Sequence, residues 1–98
     1  MPAKELEIRW TEPAIADLEQ VEAYVAKENP SAAVDLVLDI IEAVEKTLPK
    51  YPGAGREGRL LGTRELVVHE NYLLPYRVKG NCVEILRVLH VARKWPIL

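Results

Sequence analysis

With 98 residues, 49% hydrophobic and 29% charged, the chain is long enough for one hydrophobic core and too short for two, so a single domain over residues 1–98 is expected and general disorder is excluded. The net charge of −2 hides an asymmetry: residues 1–48 carry 4 Lys/Arg against 11 Asp/Glu, and residues 49–98 carry 9 against 4. One cysteine, Cys82, excludes an internal disulfide, and the two histidines, His69 and His90, do not supply a metal-binding spacing, so no cofactor is expected. No apolar run approaches the roughly 20 residues of a membrane span, and Met1–Glu5 lacks the apolar centre of a secretory signal, which makes the cytoplasm the expected location and excludes a membrane partner.

Leu6, Ile8 and Trp10 alternate with Glu5, Glu7 and Arg9, the period-two pattern of a first strand with one wet face. Thr11 then offers a hydroxyl cap, Pro13 suits a first helical turn, and Ala14, Ile15, Leu18, Val21, Tyr24 and Val25 recur at helical spacing to about Glu28. Asn29-Pro30 breaks that helix and starts another: Asn caps, and proline at the first helical position forfeits an amide that had no partner. The second stripe, Ala33, Val34, Val37, Ile40, Ile41, Val44 and Leu48, ends at Pro49. An antiparallel helix hairpin whose shared apolar face covers a sheet is the simplest arrangement.

Residues 49–63 hold two prolines, four glycines and the cations Lys50, Arg56 and Arg59, and are expected to form an ordered irregular loop. Gly53, Gly55 and Gly58 do not make a phosphate-binding loop, since no strand leads in and no helix begins after them. From Arg64 the period becomes two. Residues 64–69, 72–79 and 82–90 are expected to be three strands of an antiparallel meander, separated by the tight turns Glu70-Asn71 and Gly80-Asn81. Pro75 cannot donate to a ladder, so a bulge or local edge is expected there. The fold class expected is α+β: N-terminal strand, antiparallel helix hairpin, then a three-stranded antiparallel meander, with the sheet's second face left for partners.

The stretches Asn29-Pro30-Ser31-Ala32-Ala33 and Gly62-Thr63-Arg64-Glu65-Leu66-Val67-Val68, the pair Tyr72 and Tyr76 before Arg77-Val78, and the ending from Ile85 through His90 to Trp95-Pro96 together resemble the RelE/ParE toxin superfamily. The likeness runs from Trp10 to Pro96. It implies a toxin neutralised by a small cognate antitoxin, which would supply an apolar helix or strand plus acidic groups to meet the basic half, and which alone would connect the toxin to operator DNA. RelE-like members are ribosome-dependent messenger-RNA endonucleases, whereas ParE-like members poison DNA gyrase. In the RelE-like pattern an arginine follows the tyrosine that opens this strand, and here Tyr72 is followed by Leu73. Losing a preorganised cation at a scissile phosphate costs roughly 2.7 to 4 kcal/mol. The resemblance therefore favours the ParE-like branch, acting by binding without chemistry of its own, with Arg56, Arg59, Arg93, Lys94 and Trp95 as the target-binding residues. Its alternative is an endoribonuclease on ribosome-bound mRNA, with His90, Arg64 and Arg93 as the catalytic set: an imidazole able to pass a proton near neutral pH and two guanidiniums to hold phosphate. Arg87, between apolar neighbours, is expected to snorkel or to pair with a carboxylate such as Glu84 or Glu65, and His69 is expected at the surface.

Overall fold

The computed structural model describes residues 5–92, built in the order β1 (Glu7–Trp10), α1 (Glu12–Ala26), α2 (Pro30–Thr47), β2 (Arg56–Glu57), β3 (Arg64–His69), β4 (Tyr72–Lys79), β5 (Cys82–Ile85) and β6 (Leu89–His90). Both helices start where side-chain chemistry dictates. Thr11 Oγ1 accepts from the Ala14 amide at 3.4 Å and Asn29 Oδ1 from the Ala32 amide at 3.1 Å, each followed by a proline in the first turn.

The helices pack on each other and on one face of the sheet. Ile40, Val44 and Leu48 are wholly buried, at about 1.5–3 kcal/mol each, so α2 and its cap anchor the layer. In contrast, α1 buries only Ala14, Leu18 and the carboxylate of Asp17. From the sheet, Val83, Ile85, Tyr72, Leu74 and Tyr76 meet these side chains, with Ile8, Trp10, Leu66 and Val68 packed around them. Alternation along each strand then assigns the opposite face to Arg9, Glu84, Arg77, Pro75, Leu73 and Glu65.

Three features depart from a plain meander. The sheet is mixed, in the order β1-β5-β4-β3-β2, because β1 lies parallel to β5 with Ile8 beside Val83 and Trp10 beside Ile85. A short β2 inside the glycine-rich loop pairs Arg56 with Glu65 and Glu57 with Arg64. The expected last strand is interrupted: the amides of Leu86 and Arg87 both donate to the Pro75 carbonyl, at 2.9 and 3.5 Å, and pairing with β4 resumes in β6 one residue out of step. This is the bulge that proline forces, with its extra residue in the strand opposite Pro75. The shift inverts the alternation, so that Val88 and His90 face the helices where Val83 and Ile85 had done so. At the β4–β5 turn Gly80 has φ +62° and, among the described residues, none other than glycine has positive φ, the pattern of a hairpin turn with glycine first.

Candidate functional site

The basic half of the chain gathers around the loop of residues 50–63, and buried acceptors hold that loop against the sheet. The Tyr76 hydroxyl donates to the Pro52 carbonyl at 2.6 Å and accepts from the Gly55 amide at 2.9 Å. Burial raises the Tyr76 pKa above its ordinary value, with the Gly55 amide and the Arg64 charge opposing. Gly55 is required here: a Cβ would lie 2.8 Å from the Tyr76 ring and hydroxyl and 2.9 Å from the Glu65 carbonyl. Arg64 Nη1 donates to the Gly55 carbonyl at 2.9 Å, anchoring the loop. Arg56 and Arg59 converge on Glu65, whose side chain is 1% exposed, at 3.2 and 3.6 Å, and the Arg59 amide donates to the second carboxylate oxygen at 3.0 Å.

A second arginine cluster sits on the same sheet face. Glu84 accepts from Arg77 Nε at 2.6 Å and from Arg9 Nη1 at 3.1 Å. The Arg77 hydrogen bond, reinforced by the charges of Arg77, Arg9 and Lys79 and opposed by burial, holds the Glu84 carboxyl below its usual range.

On the helix side, Asp17 takes Arg87 in a two-point grip, Nε at 2.7 Å and Nη2 at 3.0 Å, and accepts the Val88 amide at 3.0 Å. The expected pairing of Arg87 with Glu84 or Glu65 is thereby corrected: those carboxylates lie on the other sheet face and are taken by other arginines. The Asp17 hydrogen bond raises the Arg87 pKa above its ordinary value, with burial opposing. Between α1 and the end of the sheet lies a cleft of about 450 Å³ walled by Gln20, Val21, Tyr24, Tyr72, Val88 and His90. His69, Tyr72 and His90 form one row across three strands, with ring centroids 6.1 and 5.5 Å apart. His90 is exposed and its Nδ1 accepts from the Ala92 amide at 3.1 Å. His69 is half-buried, not on the surface as expected, and its Nδ1 has no hydrogen-bond partner among the described residues.

Of the nuclease set, Arg64 and His90 are not brought together. Arg64 pairs with Tyr76 and His90 with Tyr72. Four residues along β4 and two strand spacings across give a separation of roughly 16 Å. Leu73 is 2% exposed, in an apolar row with Val67 and Leu89. Arg93, Lys94 and Trp95 lie outside the described residues.

A family model described as the ParE toxin of the type II toxin–antitoxin system parDE matches residues 8–95. The chain belongs to the ParE toxin family. This toxin is 44% identical over 90 residues to toxin Y4kP of Sinorhizobium fredii, covering 91% of the chain and 92% of the relative. It is 36% identical over 87 residues to toxin RelE2 of Caulobacter vibrioides, covering 89% and 97%. Among solved structures, the chromosomal ParDE toxin–antitoxin system of P. aeruginosa matches with a TM-score of 0.81 at 34% identity, over 91% of this chain and 99% of that one. The α+β fold and the membership of the RelE/ParE superfamily expected from the residues are both found.

Glu65 anchors the loop as an ion-pairing strand residue can, whereas Asp17, Glu84 and Tyr76 organise the site without being singled out by the sequence pattern for that role. A carboxylate on an otherwise apolar helix stripe, beside Ala14 and Leu18, was a signal that could have found Asp17.

Proposed function

We propose that this toxin stops growth by binding DNA gyrase in the cytoplasm, without cutting RNA, and that a cognate antitoxin neutralises it. The observation that carries the reading is the dispersal of the groups a phosphate-cleaving site would need. Arg64 is tied to a loop carbonyl, and the backbone positions of His90 and Arg64 stand roughly 16 Å apart. General acid–base catalysis needs its groups within about 3 Å of the atoms they serve. Leu73, where an RNA-cleaving relative would carry a phosphate-binding arginine, is buried among leucine and valine side chains, a site hostile to a guanidinium. The antitoxin reading is supported by the exposed apolar side chains Tyr24, Val34 and Leu38 on the helices and by the basic half of the chain.

The test measures supercoiling by purified gyrase and new 5′ ends in messenger RNA after toxin induction. Gyrase inhibition with intact transcripts is expected, and His90→Gln should remain toxic. Full supercoiling at excess toxin, with transcript cleavage that His90→Gln abolishes, would overturn the proposal. The alternative has one observation in its favour, the exposed His90 in the α1 cleft beside Tyr72, and it would use His90, Arg64 and Arg93 on ribosome-bound mRNA.

A further inference from the structure

The sheet face turned away from the helices presents Arg9, Arg77 and Lys79 around Glu84, and Arg56 and Arg59 around Glu65. The two carboxylates are buried, with side chains 8% and 1% exposed, whereas the arginines remain 43–68% exposed. Each acid therefore orients two guanidiniums while its own charge is withdrawn from solvent. Arg9 gives Glu84 one N–H and Arg56 gives Glu65 one, which leaves most of both forks facing outward. Glu7, across from Cys82 at the sheet edge, is the exposed acid on this face among the described strands. The other side of the molecule is opposite in sign, since α1 and α2 carry eight Asp/Glu and one lysine.

We propose that this face binds the phosphate backbone of double-stranded DNA, through arginines that Glu84 and Glu65 hold in place. The proposal rests on the gyrase reading for its setting: a toxin seated on gyrase would contact the duplex that gyrase holds. The two clusters lie two strands and two residues apart, about 12 Å, comparable to the roughly 12 Å width of the major groove of B-form DNA. They sit on a diagonal across β3, β4 and β5, in the middle of the sheet, so an acidic peptide extended along one strand would meet only one of them. The acidic helices would repel a polyanion from the opposite side.

The experiment uses the whole toxin and a labelled random-sequence DNA duplex, followed by fluorescence anisotropy over a series of salt concentrations. Poly-glutamate and single-stranded RNA serve as rival ligands. The test variant is Arg9→Gln with Arg56→Gln, chosen because Arg77 and Arg59 still partner the buried acids; Lys79→Gln, whose ammonium makes no hydrogen bond among the described residues, is an independent second variant, and Lys46→Gln on α2 is the control. Duplex binding is expected to exceed binding to both rivals. The slope of log affinity against log salt should become shallower by about 1.8 in the double variant and about 0.9 in Lys79→Gln, with Lys46→Gln unchanged. Absence of duplex binding, equal binding to poly-glutamate or RNA, or unchanged slopes would overturn it. Gyrase supercoiling is measured alongside. Inhibition without duplex binding sinks the DNA face and leaves the gyrase reading standing, and duplex binding with full supercoiling does the reverse.

Discussion

Replacing Asp17 with alanine tests whether one buried carboxylate joins α1 to the bulged strand. The change removes two hydrogen bonds from Arg87 and one from the Val88 amide. Removing one partner of a buried ion pair costs 3–5 kcal/mol, and because the Arg87 side chain is 24% exposed the lower end, about 3 kcal/mol, applies. The stranded Val88 amide adds about 1 kcal/mol. A total of about 4 kcal/mol at 4–8 °C per kcal/mol for a domain of this size lowers Tm by about 15–30 °C. Urea unfolding followed by circular dichroism measures it as a fall in the midpoint. The companion Asp17→Ala/Arg87→Met removes the uncompensated charge as well, and should recover all but about 1–2 kcal/mol. A loss under about 1 kcal/mol in the single variant, or a double variant no better than the single, would refute the reasoning.

Tyr76→Phe strands the Gly55 amide and the Pro52 carbonyl together, and should lower stability by about 1–3 kcal/mol and speed proteolysis within residues 50–63; an unchanged melt would contradict it. The raised pKa of Tyr76 adds a pH signature: stability is complete below the ordinary value of 10.0 and is lost as pH rises through the folded value, so Tyr76→Phe should flatten the alkaline limb of the unfolding curve. Glu84 has the opposite sign. Its lowered pKa contributes stability above the ordinary value of 4.5 that disappears as pH falls through the folded value, and Glu84→Gln should reduce that acid dependence in urea melts at pH 3 and pH 6. Gly55→Ala forces a Cβ against Tyr76 and the Glu65 carbonyl and should cost about 1–3 kcal/mol, read from the urea midpoint, whereas alanine at Gly53, with open space around it, should cost far less.

Much of this fold is legible because its signals are local. Thr11, Asn29 and Pro30 mark helix starts by hydrogen-bond chemistry within a few residues, and the strands over residues 64–69 and 72–79 follow from alternation and two-residue turns. What escapes is what depends on partners distant in the chain. The parallel seat of β1 beside β5 joins residues about seventy-five apart. β2 is hidden by the glycines around Arg56 and Glu57, and exists because Glu65 offers an acceptor across the ladder. Pro75 announced a bulge, but only the structure shows that the extra residue falls opposite it and turns His90 toward α1. As for the candidate site, basic side chains are countable in the sequence, whereas their tethering by Glu65, Glu84 and Asp17 requires knowing which sheet face each occupies.

The seat of β1 has a consequence for the order of events in the cell. β1 leaves the ribosome before either helix, yet it hydrogen-bonds to residues 81–85, about seventy-five positions later in synthesis. Until they emerge, Ile8 and Trp10 have no sheet to join, and the chain cannot close its core. A product cut short before β5 therefore lacks the joined sheet. An antitoxin already present has until β5 emerges in which to be waiting.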